Sequence, residues 1–385
     1  MSGSCAGRAS VVLHRSRKYK NSQYIIILLL VRCKARKVVL VFGPGFVGFC
    51  LAWQRSLTQK MPKTFTLRTL VVVLALLVAS LAPEARAQQA TEVRVAMLAP
   101  SALLWLHAIA GDQGFYAAQK VVVKELVAGS SPALLEAVAS GSVEAGISLG
   151  DVVIRVIDQG APVVITGAIL AKTILRLVGG TGVATIKDLA GSIVTAGAVE
   201  GGTANLLRFQ LQRGGVDPRS VRFVALTNSR DRVVALGNGQ VKGALLLAPF
   251  DTLAVQEKMN ILDVYTDPYV ETPLIVNKDW AQKNRKAAIG LTQALKMAAD
   301  WIYDPANKQK AIDILAAYTN VPREICADSY RFIVEQQKAI GQGLAVQAAG
   351  LENIIEIDKA IGANPASSRP FDLGRYYDAS FLAAR

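Results

Sequence analysis

Short apolar strands alternate with amphipathic helices along residues 92–173. The strands are predicted at residues 93–98, 121–127, 143–148 and 162–168. Each of the first three runs into a turn of small or polar residues and then into a helical pattern. Repeated strand–helix units with continuous apolar strands predict a parallel sheet that helices cover on both faces.

The same pattern begins again in the second half of the chain. The stretch EAVASGSVEAGISLG at 136–150 aligns with VALGNGQVKGALLLA at 234–248 at a constant offset of 98. A repeat of this length indicates a duplicated domain, because solenoid units are far shorter. We therefore predict two α/β lobes. Their predicted bounds are 92–173 together with 273–385 for lobe 1, and 179–270 for lobe 2.

Two short strands, near 174–178 and 273–277, precede and follow lobe 2 and are predicted to form a hinge. The tail that follows is helical, with helices predicted at 284–303, 306–318, 323–340 and 350–361. Their apolar stripes require a sheet face to cover. The nearest face, once the chain has returned across the hinge, belongs to lobe 1.

The net charge of +14 comes almost entirely from the start of the chain. Residues 1–60 contribute +11 and residues 61–87 contribute +2, which leaves +1 for residues 88–385. A nearly neutral body has no electrostatic footprint for nucleic acid or a membrane surface. Only Cys326 follows residue 60, so the body can form neither an internal disulfide nor a cysteine-based metal site.

Residues 61–87 have the three parts of a secretory signal peptide: basic residues, an apolar run and a small-residue end, Ala85-Arg86-Ala87. We predict export to the periplasm with Gln88 as the first mature residue. An uncleaved N-terminal anchor is the alternative. Because a signal peptide should open a chain, we interpret residues 1–60 as a non-native upstream extension, with translation starting at Met61.

A strand, a glycine-rich turn and a helix start follow one another at 191–209, GSIVTAGAVEGGTANLLRF. Thr203 is the predicted N-cap, and Gly201 and Gly202 stand just before it. Free amides and a positive dipole end at the carboxyl edge of a strand suit a ligand. The alternative is an ordinary βα turn whose glycines only make the bend.

Residues 88–385 contain none of the usual catalytic motifs. There is no G-x-S-x-G, no H-E-x-x-H and no P-loop sequence. The one histidine, His107, lies in an apolar helix, which is typical of a core group or a single ligand contact rather than a catalyst. We predict that the protein is not an enzyme and has no cofactor and no bound metal.

Seven motifs, in order across residues 92–345, resemble the substrate-binding proteins of nitrate/sulfonate/taurine-type ABC importers, a group related to thiamine-precursor binders. The motifs are VRVAMLAP, GFYAAQKVVVKELVAGSSP, GSVEAGISLGD, DLAGSIVTAGAVEGGTANLL, GGVDP, DRVVALGNGQVKGALLLAPFD and VNKDW. The resemblance implies a two-lobed type II periplasmic binding protein clamshell, with a sheet flanked by helices in each lobe and a two-strand hinge.

For function, the resemblance implies a periplasmic protein that captures a small organic solute between its lobes and delivers it to an ABC permease. We expect a monomer. A periplasmic ligand-sensing module is one alternative. An enzyme of thiamine-pyrimidine metabolism is another, although the cysteine-rich motif of those enzymes is missing here.

The resemblance places the solute against the loops at the strand ends of both lobes. In lobe 1 these residues are Pro100, Ser101, Leu104, Trp105, Gly129, Ser130, Ser131, Leu149, Gly150 and Asp151. In lobe 2 they are Glu200, Gly201, Gly202, Thr203, Ala248, Pro249 and Phe250. Trp105 and Phe250 are predicted to stack on a planar or apolar part of the solute.

The predicted loops contain no lysine or arginine, and Glu200 adjoins the helix start at Gly201. A carboxylate within about 4 Å of an anion costs several kcal/mol, enough to cancel the helix dipole. Two arrangements remain open. Either Glu200 faces solvent and the solute is a carboxylate-bearing organic molecule held mainly by amides and hydroxyls, or Glu200 faces inward and pairs with a ligand amine. The apolar rim favours an aromatic or amphiphilic solute over nitrate.

Overall fold

The computed structural model describes residues 10–13, 27–30, 90–364 and 370–383. The chain divides into two units, Met1–Ala85 and Arg86–Arg385. In the first unit, strands β1 (Ser10–Leu13) and β2 (Ile27–Leu30) pair antiparallel. The predicted signal peptide lies outside the described residues, and so does the upstream extension apart from these two strands.

Two five-stranded sheets form the framework of the second unit. Their strands are, in chain order, β3 (Thr91–Met97), β4 (Val121–Val127), β5 (Ala145–Ile147), β6 (Val163–Leu170), β7 (Arg176–Gly179), β8 (Ile193–Thr195), β9 (Arg222–Val224), β10 (Gly243–Leu246), β11 (Asn260–Val264) and β12 (Thr272–Asn277). The order is β4-β3-β5-β12-β6 in lobe 1 and β9-β8-β10-β7-β11 in lobe 2. The two orders match strand for strand, as a duplicated domain requires.

Both sheets are mixed, whereas the strand–helix units of residues 92–173 predicted a parallel sheet; the strands of that segment do run in one direction, and β12 adds the antiparallel one. Strand β12 runs antiparallel to β5 and β6, and strand β7 runs antiparallel to β10 and β11. In each lobe the antiparallel strand is the one that has just crossed from the other lobe. A chain that arrives from the far lobe starts its strand at the edge where the parallel strands end, and it therefore runs against them.

The strands predicted as a hinge, near 174–178 and 273–277, are β7 and β12. Each is hydrogen-bonded to neighbours on both sides within one sheet, and its role as a hinge stays a prediction. The chain crosses between the lobes just before each strand, at residues 171–175 and 265–271, where no strand is assigned. The predicted lobe bounds stay predictions.

Helices cover both sheets. They are α1 (Trp105–Asp112), α2 (Phe115–Ala118), α3 (Ser131–Ala139), α4 (Gly150–Asp158), α5 (Gly202–Arg213), α6 (Ser229–Gly237), α7 (Phe250–Gln256), α8 (Lys278–Lys283), α9 (Arg285–Ile302), α10 (Lys308–Thr319), α11 (Arg323–Tyr330), α12 (Ala348–Ala360), α13 (Leu373–Tyr376) and α14 (Ser380–Ala383). Helix α11 continues into a π-helical turn, Arg331–Gln336.

The long tail helix α9 packs against lobe 1. Its buried stripe includes Leu291, Leu295 and Ile302, and the Thr292 hydroxyl donates to Oγ1 of Thr166 in β6 at 3.0 Å. Each fully buried leucine or isoleucine contributes about 1.5–3 kcal/mol of transfer free energy. Among the described residues, no helix is both long and apolar enough to cross a membrane.

Candidate functional site

A cavity lies between the two lobes where the strands of both sheets end. Lobe 1 lines it with Leu98, Ala99, Pro100, Ser101, Leu103, Ala128, Gly129, Ser130, Ser131 and Leu149. Lobe 2 lines it with Gly197, Ala198, Thr203, Thr227, Asn228, Ser229, Arg232 and Leu247. A volume of about 60 Å³ is open to the centres of water molecules. The lobes also meet directly beside the cavity, since the Ala102 amide donates to the Ala248 carbonyl at 2.9 Å.

Seven of the residues predicted from the sequence line this cavity. They are Pro100, Ser101, Gly129, Ser130, Ser131, Leu149 and Thr203. Ten do not line it, namely Leu104, Trp105, Gly150, Asp151, Glu200, Gly201, Gly202, Ala248, Pro249 and Phe250. The predicted strand-end loops of both lobes thus contribute to the cavity, while many of their residues lie outside its lining.

The aromatic side chains predicted to stack on a solute are core residues in this structure. Trp105 is 1% exposed, and its indole nitrogen donates to the Ala311 carbonyl at 2.9 Å. Phe250 is buried in the core, and the Arg230 guanidinium lies 5.3 Å from its ring centre. Each of the two is the first residue of its helix, α1 or α7, and each side chain packs into the core and does not line the cavity.

Three helices begin at the cavity. Ser130 caps α3 by accepting from the Ala133 amide at 3.3 Å, and Asn228 caps α6 by accepting from the Asp231 amide at 2.8 Å. Helix α5 begins beside them, with Gly201 as its N-cap. Each N-terminus presents free amides and the positive end of a helix dipole, so the cavity favours a negatively charged ligand.

Thr203 lines the cavity but does not cap its helix, contrary to the prediction. It lies inside the first turn of α5, and its hydroxyl donates to the Ala196 carbonyl. Gly197 lies just past that carbonyl with φ at 98°, a conformation that favours glycine. A Cβ at Gly197 would lie 3.2 Å from Nη2 of Arg232, so the glycine also permits this close approach.

Arg232 is the cationic group of the cavity, and sequence reasoning missed it. The residue is 3% exposed, and its guanidinium donates to the carbonyls of Leu226 at 2.8 Å, Leu245 at 2.6 Å and Thr227 at 3.0 Å. Burial lowers the pKa of Arg232 to about 10, so the group stays protonated at neutral pH. Three bonds leave two of the five N–H donors of an arginine for other partners.

The position of Arg232 in helix α6 explains why it was missed. The prediction considered only the loops at the strand ends, and Arg232 lies four residues beyond the N-cap Asn228. One signal was available in the sequence. Arg232 falls on the same helical face as Ser229, Val233 and Leu236, which are buried. Because burying an unpaired charge is costly, an arginine on this face requires a specific partner.

Polar groups of lobe 1 line the same cavity as Arg232. Ser101 is 3% exposed, and its hydroxyl has no hydrogen-bond partner among the described residues. Ser130 and Ser131 lie beside it in the lining. Hydroxyls from one lobe and a guanidinium from the other can bind opposite sides of one solute.

Glu200 adopts the first of the two arrangements left open by the sequence. Its side chain is exposed and outside the cavity lining, and its backbone carbonyl accepts from Arg155 at 3.4 Å. The expected repulsion between this carboxylate and a bound anion is therefore absent from the cavity. The predicted loops contain no lysine or arginine, and the basic residue of the cavity, Arg232, comes instead from helix α6.

His107 lies apart from the cavity, in a surface hollow with Tyr116 and Tyr318. Its Nδ1 is 2.8 Å from the Tyr116 hydroxyl, and its Nε2 is 3.1 Å from a carboxylate oxygen of Glu125. Burial lowers the pKa of His107. The described residues contain no group of three or more histidine, cysteine or acidic side chains arranged to hold a metal ion.

Known proteins show the same fold. The periplasmic nitrate-binding protein NrtA from Synechocystis PCC 6803 superposes with a TM-score of 0.64 at 16% identity, covering 77% of this chain and 88% of that one. The alkanesulfonate-binding protein SsuA from Xanthomonas axonopodis pv. citri, bound to MOPS, gives 0.60 at 16% identity, covering 72% and 95%. Two α/β lobes of the type II periplasmic binding protein class are therefore confirmed.

Sequence similarity agrees with the fold. The nitrate/nitrite binding protein NrtA of Synechococcus elongatus is 27% identical over 140 residues, which are 35% of this chain and 32% of that protein. The match thus spans about a third of the length of this relative. The model of the NMT1/THI5-like family matches residues 107–308, more than half of the chain. The protein therefore belongs to the NMT1/THI5-like family, as the motifs of its sequence indicated.

Proposed function

We propose that this protein is a periplasmic solute-binding protein that captures a small oxyanion between its lobes and delivers it to the permease of an ABC importer. The observation that carries the proposal is the buried guanidinium of Arg232 at the cavity. Its charge interacts with the neighbouring Asp231 but forms no ion pair with any described carboxylate. Because an unpaired buried charge is costly, a bound anion would supply the missing counter-charge.

The cavity limits the size of the solute. About 60 Å³ open to water centres corresponds to about four to six water molecules. Leu98, Leu103, Leu149 and Leu247 line it beside the polar groups. We infer a solute with a short apolar part next to its oxyanion, such as a short alkanesulfonate or carboxylate. Stacking of an aromatic solute is no longer favoured, since both predicted aromatic partners lie in the core.

The relatives support binding rather than catalysis, because those compared above are named as binding proteins. We infer a monomer in the periplasm, exported through residues 61–87, with Gln88 as the first mature residue. Mass spectrometry of the exported protein tests this inference. A mature form that retains residues 1–60 would contradict both the export signal and the start at Met61.

Titration calorimetry at low salt tests the solute class with nitrate, methanesulfonate, acetate and benzoate. We expect at least one of the anions with a short apolar part to bind. Arg232→Gln should weaken that binding by about 2 kcal/mol or more, which is roughly thirtyfold in Kd. Arg222→Gln is the matched control, because it removes the same charge from an exposed position on β9 and should leave Kd within about twofold.

A second variant guards against misfolding. Arg232 also satisfies three carbonyls, so its glutamine variant must be checked for native circular dichroism and thermal unfolding. Ser101→Ala breaks no hydrogen bond within the described residues and should weaken binding by about three- to tenfold. Unchanged affinity in both variants, or binding of ethylammonium in preference to every anion, would refute the proposed solute class.

A further inference from the structure

A second contact between the lobes lies outside the cavity lining, at Asp151. Its Oδ2 accepts from Nδ2 of Asn205 at 3.1 Å and from Nη2 of Arg155 at 3.2 Å. Asp151 and Arg155 belong to α4 of lobe 1, whereas Asn205 belongs to α5 of lobe 2. Arg155 also reaches across and donates to the Glu200 carbonyl of lobe 2 at 3.4 Å. The two lobes are thus joined by charged hydrogen bonds at this point.

These groups are buried where the two lobes meet. Asp151 is 2% exposed and Asn205 is 4% exposed. Because Asp151 is covered by a helix of the opposite lobe, separation of the lobes would break its bond to Asn205 and return the carboxylate to water. A contact that exists only when the lobes meet favours the closed arrangement over the open one.

Gly202, at the start of α5, shows how closely the lobes approach. A Cβ on this residue would lie 1.8 Å from Oδ1 of Asp151 and 2.7 Å from its Cγ, which no real pair of atoms tolerates. Gly202 does not have a positive φ, so its backbone conformation does not require glycine. Helix propensity even favours alanine there. The glycine is therefore explained by the carboxylate of the other lobe.

We propose that Asp151, Arg155 and Asn205, with Gly202 leaving room for them, form a latch that holds the lobes closed and slows solute release from outside the cavity. The latch rests on the proposed function, in which the solute binds between the lobes. None of its four residues lines the cavity, so the latch changes affinity only through the population of the closed form.

Removal of the lobe 2 partner is the first test. In the full chain, Asn205→Ala should raise the Kd for methanesulfonate about tenfold or more, which is the range expected for loss of a hydrogen bond to a charged group. Stopped-flow measurements should assign the change to faster dissociation, since the cavity residues are intact. Asn238→Ala is the matched control at an exposed C-cap of the same lobe. It should leave the association and dissociation rates of methanesulfonate unchanged.

The clash at Gly202 gives a second test that needs no ligand. Gly202→Ala should prevent full closure, and small-angle scattering should show a larger radius of gyration than for the wild type. In the double variant Asp151→Ala/Gly202→Ala the obstructing carboxylate is gone, so the added methyl group should have no further effect. The double variant should therefore match Asp151→Ala alone, a strongly non-additive result.

The outcomes separate the latch from the proposed function. Failure of every anion to bind the wild type would overturn the solute class, while the scattering comparison would still test the latch. The latch is overturned when Gly202→Ala is as compact as the wild type, or when the effects of Asp151→Ala and Gly202→Ala simply add. It is also overturned when Asn205→Ala releases methanesulfonate at the wild-type rate, as the control Asn238→Ala is expected to do.

Discussion

Glu271 makes the stability of this protein depend on pH. The residue ends the second crossing between the lobes, is 2% exposed, and accepts from the Gly150 amide at 3.0 Å through its backbone carbonyl. The pKa of its carboxyl is raised from 4.5 to about 8, mainly by burial; a hydrogen bond with Thr173 opposes the rise, and the nearby Asp151 adds to it. One of its oxygens, Oε2, has no hydrogen-bond partner among the described residues.

The sign of the effect follows from linkage. The folded state binds a proton on Glu271 more tightly than the unfolded state, so its contribution to stability is complete below about pH 4.5 and is lost as pH rises through about 8. At 1.36 kcal/mol per pH unit, the loss is about 3 kcal/mol at pH 7 and about 5 kcal/mol at pH 9. A change of this size is a large fraction of the stability of a typical domain.

Glu271→Gln removes the titrating proton while keeping a side chain of the same shape. Urea unfolding followed by circular dichroism at pH 5, 7 and 9 should show the free energy of unfolding of the variant, relative to wild type, rising by about 4 kcal/mol between pH 5 and 9. Asp358, whose pKa burial raises to about 7, adds to the slope of both proteins and cancels in the comparison. Glu136→Gln, at an exposed position on α3, is the matched control. A difference between Glu271→Gln and wild type that stays constant from pH 5 to 9 would refute the reasoning.

Three further predictions concern buried hydrogen bonds and packing. Trp105→Phe should lower the free energy of unfolding by about 1–3 kcal/mol, because the Ala311 carbonyl loses its donor, yet calorimetry should find the solute Kd within about twofold of wild type. Tyr376→Phe should cost about 1.5–3 kcal/mol in urea unfolding, because its hydroxyl donates to the buried Asp158 at 2.8 Å, and an unchanged midpoint would contradict this. Gly150→Ala would place a Cβ 2.0 Å from a backbone carbonyl of the second crossing and should lower the melting temperature by several degrees, as overpacking costs about 1–3 kcal/mol.

Local pattern determined much of the fold. The runs at 93–98 and 121–127, which are mostly apolar, became β3 and β4, and the tail helices fall within a few residues of their predicted bounds. The offset of 98 between the two halves predicted that the two lobes would have the same fold, and their sheets have the same strand order. The strands and helices depend on residues that are close in the chain, and the shared strand order depends on a repeated segment. Both can be detected as a period in the sequence.

Sequence position also located the edge of the sheets at which the cavity forms. Ser101, Ser130 and Thr203 were predicted from their places just past strand ends, and all three line the cavity. What the sequence did not determine was which side chains turn toward it. Trp105 occupies the core because the returning tail helices, far along the chain, cover that face of α1.

Tertiary structure alone decided the direction of the crossing strands and the identity of the charged groups between the lobes. Arg232 reaches the cavity because α6 packs with its N-terminus against the strand ends of lobe 2, and Asp151 meets Asn205 only because the lobes close on each other. A residue pattern specifies the buried face of one helix, but the partner of a buried charge lies on another segment. That pairing is set by how the two lobes come together, which no local period encodes.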